Sequence, residues 1–314
     1  MRKDTERMAF ANGLYNDFSH WLGRRFPFKV QKISIDAGFT CPNRDGSVGY
    51  GGCKFCSSGG SGELASNIRD QIELLKNKWP NVGYLAYFQS HTNTYAPIDI
   101  LREKFYAALS HPEIEGIAIA TRPDCLDDDV LELLSEINKE HFMWVELGLQ
   151  SIHNATLDSM NIGYQLSDYD RAVCELRKRG IKTVVHLILG LPGETQDDML
   201  SSLDYVCSSS IFGIKLHLMN IVRSSPLYQE MPDYVSFNSI KEYVDLVIRM
   251  IERIPPHVTI HRLTGDVPRM LLVSPEWSYK KRTILNSINN GLRARDTYQG
   301  AKFAKKTNNQ NQTG

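Results

Sequence analysis

"TCPNRDGSVGYGGCKFCSSGGSGE", residues 40–63, gathers Cys41, Cys53 and Cys56 in a stretch that also holds seven glycines. The last two cysteines have CxxC spacing, with Phe55 just before the second. Thiols at this density serve as a disulfide, a zinc site, a redox dithiol or an iron–sulfur cluster. Composition narrows the choice. The chain has 314 residues, 42% hydrophobic and 23% charged, with zero formal net charge. That suits one large globular domain or two small ones and gives no overall attraction to polyanions. The opening "MRKDTERMAFANGLYNDF" holds no apolar core of signal-peptide length, and no apolar run of membrane-spanning length, about 18 residues, follows. A cytoplasmic protein without a membrane partner is expected, and its thiols stay reduced. A redox dithiol needs CxxC at a helix start, and "SSGGSG" after Cys56 starts a helix poorly.

Outward from this loop, strands and helices alternate. "VQKISI" (30–35) reads as a strand rich in β-branched residues, and the cysteine loop follows it. Further apolar strands are expected at 84–89, 116–121, 143–150, 182–190 and 214–222, with a short closing strand at 258–263. Helical spacing occupies 67–79, 97–110, 127–140, a stretch from 151 to Gly180, 195–209 and 239–254. Ile68, Ile72, Leu75 and Trp79, for example, share one helix face. Near-continuous apolar strands alternating with helices imply a parallel sheet covered on both faces. The fold class is α/β, best a partial (β/α)6 barrel over 30–263. An N-terminal extension (1–29), a basic C-terminal extension (264–306) and a disordered tail (307–314) flank it. A doubly wound open sheet is the second choice. In either, ligands sit beyond the carboxyl ends of the strands, where the cysteine loop lies.

Three thiolates can hold three corners of a [4Fe–4S] cluster and leave the fourth iron without a protein ligand. A structural zinc would take four ligands. The nearest fourth candidates, His91 and Cys125, lie on other strand–helix loops, and neither belongs to a second CxxC or HxxxH pair. On spacing alone, zinc and iron–sulfur stand level.

The wider pattern resembles the radical S-adenosylmethionine (radical SAM) superfamily, in which three cysteines follow the first strand of a partial β/α barrel. "CKFC" matches the C-x-aromatic-C of its last pair. Eleven residues separate Cys41 from Cys53, more than is usual there. The long spacing is similar to a branch of YhcC/YtqA type and, more distantly, to the catalytic subunit of Elongator. "YFQSHTNTYA" (87–96), "IATRPDCL" (119–126), "VELGLQS" (145–151), "HLILGLPGET" (186–195) and "LHLMNIVRSSPL" (216–227) carry the same resemblance. It implies that Cys41, Cys53 and Cys56 hold a [4Fe–4S] cluster whose open iron takes S-adenosylmethionine (SAM). One electron, from a donor such as flavodoxin or ferredoxin, then cleaves SAM to a 5′-deoxyadenosyl radical that abstracts a hydrogen from the substrate. Gln89, Glu146, Gln150 and Ser151 fall at strand ends where the family places SAM contacts, although "FQS" lacks the usual GGE. A core role for Glu146, and a plain turn with Thr195 as helix cap for "LPGET", are the structural alternatives.

Among the remaining residues, His91 and Cys125 are candidate catalytic groups because both lie in loops on the active face. Cys174 and Cys207 read as core filler, and His186 and His217 as core histidines. Between Tyr279 and Lys306 there are eight Lys or Arg residues, one acid, two tyrosines and a phenylalanine. Such a composition suits either a nucleic-acid surface or a solvated helix. Through Elongator the resemblance implies tRNA as partner. The step it suggests is conversion of a wobble-uridine 5-carboxymethylaminomethyl group to 5-aminomethyl. A small metabolite such as a tetrapyrrole, or a zinc-stabilised binding protein, are the alternatives.

Overall fold

In the computed structural model, residues 10–60, 62–76 and 82–303 are described. Seven strands form one parallel sheet: β1 (Val30–Ile35), β2 (Gly83–Phe88), β3 (Ile114–Thr121), β4 (Met143–Gln150), β5 (Lys182–Leu189), β6 (Gly213–Leu218) and β8 (Thr259–Arg262), in that spatial order. The sheet curves as an open half-barrel of the expected class, and "VTIHRL" supplies its seventh strand. Crossover helices α2 (Ile68–Lys76), α3 (Ile98–Leu109), α4 (Asp128–Glu140), α6 (Leu166–Lys178), α7 (Gln196–Ser208) and α9 (Ile240–Ile251) cover the outer face. Parallel strands require such crossovers. Side chains alternate along each strand, so Ile117, Val145, Leu187 and Leu216 face these helices and form the main core. Asp127 caps α4 by accepting from the Val130 N–H, and Thr195 and Asp198 form a capping box at α7.

Two expected elements are broken. The stretch 151–180 divides into α5 (Asn154–Ser159) and α6, because Asn161 (φ 52°) and Gly163 (φ 80°) take left-handed backbone between them. The strand 214–222 ends at Leu218, where its partner β5 ends at Leu189. β7 (Ile221–Val222) instead pairs antiparallel with β9 (Leu272–Ser274), and the short α8 (Pro226–Glu230) follows β7. The helix expected at 67–79 is described to Lys76, and its last three residues lie outside the described set, as does the tail 307–314. The basic extension holds β9, a 3-10 turn (Glu276–Tyr279) and α10 (Lys281–Ala294), whose Ile284, Ile288 and Leu292 are buried.

The N-terminal extension closes the lower end of the half-barrel. Helix α1 (Phe18–Arg25) buries Phe18 and Leu22 against Val30, Leu85, Trp144 and Val184 on the inner face. Phe18 stacks on His261 with ring centres 3.9 Å apart and meets Trp144 edge-on at 5.3 Å. Each such apolar side chain stabilises by roughly 1.5–3 kcal/mol.

Above this apolar layer the lumen turns polar. Glu146 has no exposed surface. Its Oε1 accepts from Lys32 Nζ at 3.2 Å and Trp144 Nε1 at 3.0 Å. Its Oε2 accepts from His186 Nε2 at 2.8 Å and from Lys215 Nζ. Burial alone pushes this carboxyl up, but the charges of Lys215 and Lys32 and the His186 bond outweigh it and hold the group well below the usual range. Burial pushes the His186 ring down to about 4, helped by Lys215. Burial likewise holds His217 and His261 well below their ordinary value, with His186 and Lys32 respectively adding to it.

Breaking this network leaves buried ammonium groups without their counter-charge. Glu146→Gln should therefore lower the unfolding free energy by about 3–5 kcal/mol, and adding Lys215→Met should restore most of it. Urea denaturation of the metal-free protein measures both, and an unchanged midpoint in the single variant would refute the account. The histidines add a pH dependence. The fold holds them neutral, so the unfolded chain takes up protons first as pH falls. The His186 contribution is complete above about pH 6.5 and is lost toward pH 4. The denaturation midpoint should fall over that window, and His186→Asn should reduce the slope by about one proton.

Candidate active site

The cysteine loop leaves the carboxyl end of β1 and folds on itself. Arg44 N–H donates to Cys41 O at 2.8 Å, Val48 N–H to Pro42 O at 2.8 Å, and Cys56 N–H to Cys53 O at 2.9 Å. Gly60 is at φ 61°, and a Cβ there would lie 2.5 Å from the His91 ring, so glycine lets the two loops close together.

The α5–α6 connection anchors this loop. Asn43, fully buried, donates to Asn161 O and lies 3.6 Å from Cys53 Sγ. Asn161 Nδ2 donates back to Gly52 O at 2.9 Å and Tyr50 O at 3.2 Å. Lys54 N–H adds a bond to Met160 O at 2.9 Å. Arg122, after β3, holds the same connection through Ile162 O at 2.8 Å. Asp124 fixes its guanidinium with two bonds of 2.9 and 2.7 Å, and its Nη1 stands 4.0 Å from Cys41 Sγ.

Cys41, Cys53 and Cys56 form no disulfide among the described residues, are half-buried and are set in the wall of one cavity. Burial pushes the Cys53 thiol up to about 12; Cys56 adds to this, and the nearby Arg122 charge opposes it. The protein alone thus keeps that thiol protonated, and a metal must displace the proton. Among the described residues no three His, Cys, Asp or Glu side chains group around one point as a single ion requires. Three soft sulfur donors spread over one wall, beside a fixed cation and near the half-buried Phe55, fit a polynuclear iron–sulfur cluster with one thiolate per iron. They fit a closed zinc site poorly.

The other expected site residues divide. Gln89 and Gln150 line the cavity with the thiols, Gln89 accepting from Ser34 Oγ at 2.8 Å and Gln150 at φ 69°. His91 lines it too, its Nδ1 without a partner among the described residues, and burial with the Arg44 charge lowers its pKa. Three expectations need correction. Glu146 reaches the deep wall, but four protein donors occupy its lone-pair positions. Ser151 is fully buried away from the cavity, donating to Glu194 and accepting from the His153 N–H. Cys125 lines a separate cavity with Pro42, Tyr95 and Asp124, because the turn after β3 carries it to the outer side of the cysteine loop.

Sequence reading passed over Asn43, Arg122 and Asn161, although "IATRPDCL" contains Arg122. It assigned His217 to the core and did not single out Arg262, and both line the same cavity. The basic C-terminal segment splits. Lys281 bonds Asp266 at the cavity rim at 2.9 Å. Arg269 sits 4.5 Å over the exposed Tyr279 ring, with exposed Lys280 and Arg282 beside it. Arg295 and Lys302 instead pair with Asp245 and Glu252, binding the tail to α9. Lys305 and Lys306 lie outside the described residues.

Comparison with known proteins agrees with this site. Residues 41–206 match the family model of the radical SAM superfamily, and 211–294 match the radical SAM C-terminal domain. The chain is 43% identical to YtqA of Bacillus subtilis (strain 168) over 298 residues, 92% of each protein. It is 38% identical to YhcC of Escherichia coli (strain K12) over 276 residues, 86% of this chain and 89% of that one. Among solved structures, the archaeal Methanocaldococcus infernus Elp3 shares the fold with a TM-score of 0.64 at 16% identity, covering 86% of this chain and 64% of that one. By these matches and its three-thiol loop, the chain belongs to the radical SAM superfamily, whose enzymes use a [4Fe–4S] cluster and SAM, in the branch of YtqA and YhcC.

Proposed function

We propose that this radical SAM enzyme modifies tRNA, acting on the C5 side chain of a wobble uridine and converting 5-carboxymethylaminomethyluridine to 5-aminomethyluridine: the carboxymethyl carbon loses a hydrogen atom and then one electron, which replaces the electron spent on SAM, and water splits the resulting imine into the 5-aminomethyl group and glyoxylate. The observation that carries the catalytic class is the set of three cysteines on one cavity wall beside Arg122. When bound, the cluster and SAM would supply hydrogen-atom abstraction from a substrate carbon. The chain's own residues do the rest. Cys41, Cys53 and Cys56 would hold the cluster, and the Arg122 charge opposes the burial that pushes the Cys53 thiol up. Gln89 and Gln150 present amides to SAM from the ends of β2 and β4. The half-barrel and its α1 plug exclude water from the lumen. His91, in the cavity wall, is the candidate for proton transfer. The likeness to Elongator's catalytic subunit supports tRNA as substrate, and so do Arg269, Tyr279, Lys280, Lys281 and Arg282 near the rim. A cytoplasmic one-electron donor such as flavodoxin or ferredoxin completes the reading.

After anaerobic reconstitution with iron and sulfide, the wild-type protein should absorb at roughly 400 nm and release 5′-deoxyadenosine from SAM. Alanine at Cys41, Cys53 or Cys56 should abolish both, whereas Cys174→Ala and Cys207→Ala should retain them. Loss of the cluster on Cys207→Ala would overturn the ligand assignment. For the substrate, nucleosides of bulk tRNA from a strain lacking the protein are compared with wild type by mass spectrometry. Accumulated 5-carboxymethylaminomethyluridine is expected, and an unchanged profile rejects tRNA in favour of a small metabolite.

A further inference from the structure

The cavity that holds the thiols continues down the half-barrel to Tyr87, Glu146, His186, Lys215, His217 and Arg262. We propose that its floor is a subsite for a carboxylate of the substrate, received by Arg262 and His217 with Lys215 behind them. This rests on the function proposed above only in taking the substrate to enter from the cysteine-loop side.

Three observations point to an anion. The first is charge. Lys32, Lys215 and Arg262 reach the lumen, against one enclosed carboxylate, Glu146. Glu63 and Asp266 also line the cavity; Asp266 is 40% exposed at the rim, where Lys281 holds it at 2.9 Å, and Arg262 Nη2 is no closer than 3.5 Å. The second is saturation. All four lone-pair positions of Glu146 are taken by protein donors, so a cationic group entering the lumen meets an excess of its own sign and no free carboxylate. The third is an orphan. His217 Nε2 is shielded from solvent and has no partner among the described residues, with its ring centre 5.0 Å from that of His186. A shielded polar atom left without a partner is destabilising, which a ligand oxygen relieves. Arg262 has a planar fork suited to carboxylate, and at 25% exposure its side chain is partly desolvated but open to the cavity.

The test uses cluster-loaded protein with SAM, glycolate as the probe anion and glycolamide as its neutral isostere, at constant ionic strength. The readout is the thermal unfolding midpoint. Glycolate should raise the wild-type midpoint with a saturable dependence, and glycolamide should not. In Arg262→Gln and His217→Gln the half-saturating concentration should rise about tenfold or more, equivalent to about 1.4 kcal/mol. Arg262→Lys, which keeps the charge without the fork, should retain part of the response, and circular dichroism shows that each variant is folded. Equal shifts with both compounds, no shift with glycolate, or unaltered response in the variants overturns the subsite. A second arm presents tRNA whose side-chain carboxylate is intact or converted to the amide. Wild type should prefer the acid, and Arg262→Gln should lose the preference. Turnover of neither tRNA, with the glycolate response intact, rejects the tRNA reading and leaves the subsite standing; discrimination that survives in Arg262→Gln overturns it.

Discussion

A single carboxylate without access to water organises the interior of this protein. Glu146 accepts hydrogen bonds from β1, β4, β5 and β6, four of the seven parallel strands. Polar groups buried in a low-dielectric space must be satisfied or they destabilise strongly. Strand register around the lumen is therefore set by more than apolar packing: Lys32, His186 and Lys215 must each reach the same two oxygens. The Lys215 ammonium also donates to Tyr87 OH at 3.1 Å and lies 4.5 Å from that ring centre, which extends the network to β2. The apolar plug of α1 below and the cysteine loop above lie on either side of this layer.

The cysteine loop depends on a different kind of constraint. It is long, rich in glycine and has no regular structure of its own, so its shape must be imposed from outside. Asn161 imposes it by donating to Gly52 O and Tyr50 O, while Asn43 and Arg122 bind the same connection from the other side. A loop ordered in this way loses its conformational freedom on folding, before any ligand arrives. Arg122 has two roles: it pins the connection and sets a permanent positive charge near Cys41 Sγ.

The half-barrel was legible because its signals are local. Apolar runs of strand length, helical spacing between them and caps such as Asp127 and Thr195 need no knowledge of distant residues. The three cysteines were legible for the same reason, since CxxC spacing and flanking glycines are contiguous. The partners of the strand-end residues were less so. Glu146, Gln150 and Ser151 sit within six residues of one another, yet one binds across the lumen, one faces the thiols and one is buried against Glu194. Alternation along a strand and a left-handed Gln150 separate them, and neither is visible in residue type alone.

Sequence by itself determined the α/β class, the order of the strands and the identity of three thiols at the end of the first one, because each follows from periodicity and spacing along the chain. Tertiary structure alone decided which side chains meet at the thiols and in the lumen. Asn43 and Asn161 are 118 positions apart, as are Lys32 and Glu146 at a separation of 114. Only the curvature of the assembled sheet brings such residues within hydrogen-bonding distance, and that curvature is a property of the whole chain.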